Sequence, residues 1–327
     1  MERYRGTTEL TRHGKAVWTG KVNLVPEVLE APLRWKRPRR IFVNSMSDLF
    51  HDGVPDEWID KVFAVMALCR QHQFQVLTKR PARMRAYLSA PGEGRRLRHE
   101  AVVAAAREIV GDVLPEHFAP VGADRTNVWI GASAEDQTRF DERWEELKHC
   151  RLGRGPLFVS VEPLLGPLNL RFGTDHCDLC GGTGKLARWP KGKCHVCGGR
   201  GRVVINGPSE FDAYYRLDWV NVGGESGKGA RPMHPDWVRS LRGQCAAHRV
   251  PFFFKQWGEW AAGYDRDLDD PDWRQCAEIK ARTPKGQWLN LAGGQGFHGD
   301  RVVRVEPIGK KAAGRLLDGV THDGMPA

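Results

Sequence analysis

The chain has 327 residues, 41% hydrophobic and 28% charged, with 50 Lys+Arg against 40 Asp+Glu for a net charge of +10. That composition excludes a disordered or collagen-like chain, and the length supplies ample core for one large domain or two ordinary ones. The longest apolar run, Val62 to Cys69, is less than half the roughly 18 residues a membrane helix needs. The opening Met1-Glu2-Arg3-Tyr4-Arg5 has no apolar segment of a signal peptide, so no membrane partner and a cytoplasmic location are expected.

Residues 1–33 are polar and show no clear period. From there short apolar runs alternate with amphipathic segments: Ile41-Phe42-Val43, Phe74-Gln75-Val76-Leu77, Val128-Trp129-Ile130, Leu157 to Val161, Trp219-Val220-Asn221-Val222 and Val250 to Phe254. Near-continuous apolar strands suit a parallel sheet buried on both faces. Between them, Pro55 to Cys69 places Trp58, Ile59, Val62, Phe63 and Met66 on one helical face, with Pro55 suited to the first helical position. Pro81 and Pro235 open two further helices in the same way. Glu135 to Cys150 aligns Phe140, Trp144 and Leu147. Two stretches break the alternation. Pro91 to Thr126, with the basic cluster Arg95, Arg96 and Arg98, reads as an inserted helix over Ala101 to Val113, and Arg171 to Leu217 holds four cysteines. The tail, Gly258 to Ala327, predicts a strand over Arg301 to Val305 and a helix over Lys310 to Leu317.

Polar residues follow nearly every predicted strand: Asn44, Ser45 and Asp48; Lys79; Glu162; Gly223, Gly224 and Glu225; Lys255. Functional groups at every strand's carboxyl end suit a barrel, whose loops gather at one face, better than an open sheet with a single switch point. The expected fold is α/β, a partial TIM-type barrel formed by residues 1–170 and 218–257. Residues 171–217 form an inserted module, and residues 258–327 an extension packed on the barrel.

The motifs Arg39 to Phe50 (RRIFVNSMSDLF), Phe74 to Pro81 (FQVLTKRP), Ser160 to Gly166 (SVEPLLG), Gly223 to Gly227 (GGESG), Phe253 to Gly258 (FFKQWG) and Gly309 to Gly319 (GKKAAGRLLDG) occur together and in order. They resemble the phage and bacterial three-Cys-motif family, labelled phage gp-thirty-seven/gp-sixty-eight-like, a domain of unknown function, over nearly the whole chain from about Val22. The resemblance implies a radical-SAM-like partial barrel in which three thiolates hold a [4Fe–4S] cluster that binds S-adenosylmethionine. It also implies a dedicated partner protein encoded nearby. No cysteine precedes Cys69 here, and a cluster needs thiolates. Two explanations stand, a coding sequence that opens upstream of Met1 or a chain that has lost its cluster; the first is favoured. As given, the chain is expected to be inactive.

Cys177-x2-Cys180-x13-Cys194-x2-Cys197 is the strongest local signal, each pair opening a Cys-x2-Cys-Gly-Gly-x-Gly turn. The spacing fits a closed four-thiolate structural Zn2+ site, a zinc ribbon, and the glycines permit the turn. It resembles half of the cysteine-rich domain of DnaJ-type chaperones. Segment 171–217 carries eight basic against four acidic side chains, so the ribbon either contacts nucleic acid or is a solvated structural insertion. Cys69, Cys150 and Cys245 read as buried hydrophobes.

Glu162 and Lys255 are the candidate catalytic residues. Asn44, Ser45, Asp48, Lys79, Gly223, Gly224 and Glu225 are the candidate cofactor residues. For the charged ones a mutual salt-bridge network competes with catalysis. Two functions follow: a radical-SAM-like enzyme of unknown substrate, or a nucleic-acid-binding zinc protein on a catalytically silent barrel.

Overall fold

The computed structural model describes residues 5–12, 16–45, 47–88, 93–118, 127–172, 174–176, 183, 185, 193, 194, 200, 202–204 and 216–326. The chain divides into two compact units, Met1–Gly131 with His149–Pro156, and Ala132–Lys148 with Leu157–Ala327.

The first unit opens with an antiparallel hairpin of β1 (Thr8–Leu10) and β2 (Ala16–Trp18), where no period was legible. A short helix α1 (Pro26–Leu29) and a 3-10 turn over Ala31–Arg34 lead into β3 (Arg40–Val43). Helix α2 (Asp56–Leu68) buries Ile59, Phe63 and Met66, the apolar face predicted for it. Pro55 is its N-cap rather than its first helical residue, with ψ at 149°. Asp56 and Glu57 occupy the first turn, where the helix dipole favours negative charge. β4 (Gln73–Thr78) pairs parallel with β3. After it come α3 (Pro81–Leu88) and α4 (Glu93–Val110).

Helix α4 is the helix predicted in this stretch, opening eight residues before Ala101. It packs along α2 and buries Val102, Ala105 and Ala106. Small residues at these positions let the two helix backbones approach. Arg98, read as part of a basic cluster, points inward: its guanidinium meets Asp60 at 3.1 Å and Asp56 at 2.7 Å and lies 4.4 Å over the Tyr87 ring.

Strand β5 (Val128–Ser133), buried along its whole length, spans the division between the units. The second unit continues with α5 (Gln137–Leu147), capped by the Asp136 carboxylate accepting from the Arg139 amide. It goes on through β6 (Leu157–Val161), β7 (Thr174–His176), β8 (Arg202–Val204), β9 (Trp219–Gly223), α6 (Pro235–Ala247) and β10 (Phe252–Gln256). β6 pairs parallel with β9, and β9 with β10. β7 and β8 pair antiparallel.

The molecule is thus mixed α/β with a six-stranded sheet in the order β10-β9-β6-β5-β4-β3. All six predicted apolar runs are its strands, and neighbours in the sheet follow chain order apart from the β7–β8 pair set aside. Cys69, Cys150 and Cys245 are buried in apolar surroundings. Burial pushes the Cys69 thiol up to about 11 and that of Cys245 up to about 12, as inert core thiols require.

The tail holds more structure than its sequence suggested. β11 (Trp260–Asp265), α7 (Arg266–Asp269), α8 (Cys276–Arg282), β12 (Gln287–Leu289) and β13 (Val303–Pro307) build a three-stranded sheet in the order β11-β13-β12. β13 starts and ends two residues later than predicted. The predicted helix over Lys310–Leu317 is only the single turn α9 (Lys310–Ala313), stopped by Gly314 at φ 68°. Beyond it the chain returns along the free edge of β10: the Phe254 amide donates to His322 O at 2.9 Å, and the Gly324 amide to Phe252 O at 3.0 Å. Trp219 Nε1 donates to Gly324 O at 2.8 Å. An edge that would otherwise offer a row of unpaired backbone groups is covered.

Candidate functional site

The parallel register of β6, β9 and β10 places Ser160 beside Asn221 and Asn221 beside Phe253. Because side chains alternate along a strand, one face of these strands carries Phe158, Ser160 and then Glu162; Trp219, Asn221 and then Gly223; Phe253 and then Lys255. The face is layered. At its amino end the rings of Phe158 and Trp219 lie 5.4 Å apart, and those of Trp219 and Phe253 5.9 Å apart. Toward the carboxyl ends the aromatic layer gives way to polar groups.

Those polar groups converge on the Glu162 carboxylate. Lys255 Nζ stands 3.2 Å from Oε1 and 3.3 Å from Oε2. Ser160 Oγ and Asn221 Nδ2 each reach Oε2 at 3.4 Å. The Asn221 Oδ1 atom is buried and accepts no hydrogen bond from the described residues. Gly223 makes the room: a Cβ there would stand 2.4 Å from Glu162 Oε1. The Glu162 side chain is 20% exposed and Lys255 51% exposed. An ion pair this open adds at most about 1 kcal/mol to stability. The arrangement therefore has little structural value of its own. What it offers is an accessible ammonium and carboxylate, with an unpartnered amide oxygen buried beside them.

The other candidate residues are placed differently. Glu225 follows β9, and Arg231 grips it in a fork, Nε to Oε2 at 2.8 Å and Nη2 to Oε1 at 3.0 Å, while the Arg231 amide adds a third bond at 2.8 Å. Arg231 holds its carboxyl below the usual carboxylate range. Glu225 is a loop clasp. Gly224 is a point of close backbone approach, its amide donating to Gln256 O at 2.9 Å.

In the first unit Asp48 is a clasp of the same kind. Its Oδ1 accepts from the Phe50 amide at 2.9 Å and from Thr78 Oγ1 at 2.7 Å. Its Oδ2 accepts from the Lys79 amide at 2.9 Å and from Arg80 Nη1 at 3.4 Å. The carboxylate thus ties the loop after β3 to the end of β4, and its acceptor positions are filled. Asn44 takes a left-handed conformation, φ 57°, and its carbonyl accepts from the Ser47 amide. Asn44, Ser45 and Lys79 have exposed side chains.

Of the four cysteines at zinc-ligand spacing, Cys177, Cys180 and Cys197 lie outside the described residues; Cys194 is buried. Among the described residues no three Cys, His, Asp or Glu side chains gather as a metal-ligand set, and Cys69 and Cys245 sit in the core as neutral thiols. The described residues do not fit a [4Fe–4S] cluster.

Asn221 was passed over in the sequence as part of an apolar run. It is the lone polar residue in Trp219-Val220-Asn221-Val222. A polar side chain in the middle of a buried strand is costly unless it is satisfied, and that was the available signal.

The fold and this cluster define an α/β protein with a parallel sheet and a carboxylate–ammonium pair at its strand ends. Over residues 1–326 the chain matches the model of a family described as Protein of unknown function (DUF5131), and it belongs to that family. Comparison with curated proteins and with solved structures finds no match. No helix among the described residues is long and apolar enough to cross a membrane.

Proposed function

We propose that the chain is an S-adenosylmethionine-binding enzyme of the radical-SAM-like type, and that Glu162 and Lys255 hold the amino-acid end of that molecule. The carrying observation is the partly exposed Glu162–Lys255 pair, with the unpartnered Asn221 Oδ1 buried beside it and Gly223 leaving room for the Glu162 carboxylate itself. A zwitterionic amino acid presents an ammonium and a carboxylate a few ångströms apart. Glu162 matches the first, and Lys255 matches the second. Binding would exchange one exposed ion pair for two charge-assisted contacts at a partly desolvated site. The motif series and the strand order support the reading. Reductive cleavage of S-adenosylmethionine would take its one electron from a reduced [4Fe–4S] cluster, not from the bound molecule alone. The described residues provide no cluster ligands, so the residues' share is confined to binding and orienting.

Titration calorimetry checks this. S-adenosylmethionine should bind the intact chain, L-methionine should compete, and adenosine alone should not. Glu162→Gln keeps the shape and removes the charge, and should weaken binding about 10- to 100-fold. Equal affinity in Glu162→Gln and wild type would sink the assignment.

For segment 171–217 we propose a structural Zn2+ ion held by Cys177, Cys180, Cys194 and Cys197. Support comes from its frame. β7 and β8 pair His176 with Arg202, so the chain enters and leaves the cysteine segment at one place. An antiparallel bridge between Lys185 and Lys193 folds the spacer back on itself. Replacing Cys194 with Ser should release one zinc per chain, measured by elemental analysis, and expose the segment to protease while the rest of the chain stays folded. Intact protein without zinc would refute it.

A further inference from the structure

We infer that His234 is an acid-sensitive latch, which fastens the loop running from the end of β9 to α6 onto the segment that leads into β13 and lets go when its ring takes up a second proton. His234 is fully buried, and both of its ring nitrogens are committed. Nδ1 accepts from the Asp236 amide at 3.1 Å, capping α6, and Nε2 donates to Arg301 O at 2.7 Å. An amide N–H only donates and a carbonyl only accepts, so the ring is the neutral tautomer with its hydrogen on Nε2. A second proton would sit on Nδ1 and point at the Asp236 N–H, two donors face to face. The cap would be lost, and a charge would be left inside the fold.

The groups around the ring do not compensate that charge. It meets Asp236 from α6, Asp265 from β11 and Arg301 from the segment before β13. Both carboxylates are already engaged by Arg301, whose Nε lies 3.0 Å from Asp236 Oδ2 and whose Nη2 lies 3.0 Å from Asp265 Oδ2. Arg239 takes the other Asp236 oxygen at 2.7 Å. The Trp237 ring stands 5.7 Å away, and His298 and Asp300, on the Arg301 segment, are exposed. Burial therefore outweighs the two carboxylates and holds the imidazole below its ordinary range. The closed latch resists the proton, while an opened one accepts it at about pH 6.5. The latch is at full strength above that pH. Each unit of pH below it favours opening by up to about tenfold, until the closed ring itself titrates. The loop so held carries the Glu225–Arg231 clasp and starts from Gly223, which lies against Glu162.

Hydrogen exchange of the intact chain, read by mass spectrometry and corrected for the intrinsic pH dependence of exchange, tests the latch. It uses no ligand, so its outcome is separate from that of the S-adenosylmethionine reading. Protection of segment 230–240 should fall about tenfold between about pH 7.5 and pH 5.5, while β6 keeps its protection. His234→Asn supplies a capping oxygen that does not titrate, and its segment 230–240 should change by less than about twofold over the same range. If that variant does not fold, His234→Gln takes its place, with a side-chain amide that donates to Arg301 O without titrating. Constant protection in the wild type, an equal loss in the non-titrating variant, or an equal loss in β6 overturns the latch.

Discussion

Gly224→Ala should cost roughly 3 kcal/mol or more of folding stability for one added methyl group. The new Cβ would stand 1.8 Å from the Trp257 carbonyl oxygen and 2.6 Å from its carbon. Both atoms are backbone, so no rotamer change relieves the overlap. The strands cannot simply part either, because the Gly224 amide is bonded to Gln256 O and the Glu259 amide to Glu225 O. Relief requires breaking the join between the ends of β9 and β10, which is also the rim of the proposed site. Gly243 is the internal control. It lies within α6, and an added Cβ there meets nothing within 4 Å. Gly243→Ala should stabilise by about 0.5–1 kcal/mol through helix propensity. Urea unfolding of both variants reads the difference. Similar midpoints for the two would show that the approach at Gly224 is not as tight as the geometry describes.

The second large effect is expected in the first unit. Asp60, 4% exposed in the side of α2, accepts from Tyr87 of α3 at 2.7 Å and from Arg98 of α4 at 3.1 Å. One carboxylate therefore ties three helices. Tyr87 is held as the neutral phenol: burial drives its titration far up, and the Asp60 charge adds to that. Removing the carboxylate in Asp60→Ala strands a half-buried guanidinium and a buried hydroxyl, for which about 3–5 kcal/mol is expected. Tyr87→Phe deletes only a donor and should cost about 1 kcal/mol. A double-mutant cycle between positions 60 and 98 should show strong coupling. Additive losses would mean that Arg98 finds Asp56 sufficient, to which it is bonded at 2.7 Å.

The two clasps, Asp48 and Glu225, bear on how a site is read from sequence. Both stand in the loops that follow sheet strands, where ligand residues gather, and both are candidates for that reason. Glu162 stands in the same kind of position. What separates them is the supply of donors. Asp48 is met by two backbone amides, a hydroxyl and a guanidinium, and Glu225 by an amide and a guanidinium fork. Glu162 is met by one half-exposed ammonium and two bonds of 3.4 Å. A carboxylate with short, complete bonding is fixing a loop; one with long, incomplete bonding has capacity left for a ligand.

The sequence by itself determined the positions of the six sheet strands, the apolar faces of α2 and α5, and the presence of polar residues at the strand ends. These rest on local periodicity and local caps, interactions between residues a few places apart. Only the tertiary structure decided which polar residues are spent and which are open. Thr78 reaches Asp48 across 30 positions, Asn221 reaches Glu162 across 59, and Lys255 reaches Glu162 across 93. The burial of Arg98 and the return of the tail along β10 were likewise settled by packing. Hydrophobic pattern is short-ranged in sequence and survives as a signal. A hydrogen-bond partner is chosen by which strands and loops the fold brings within about 3 Å, and nothing in the linear spacing of donors and acceptors records that choice.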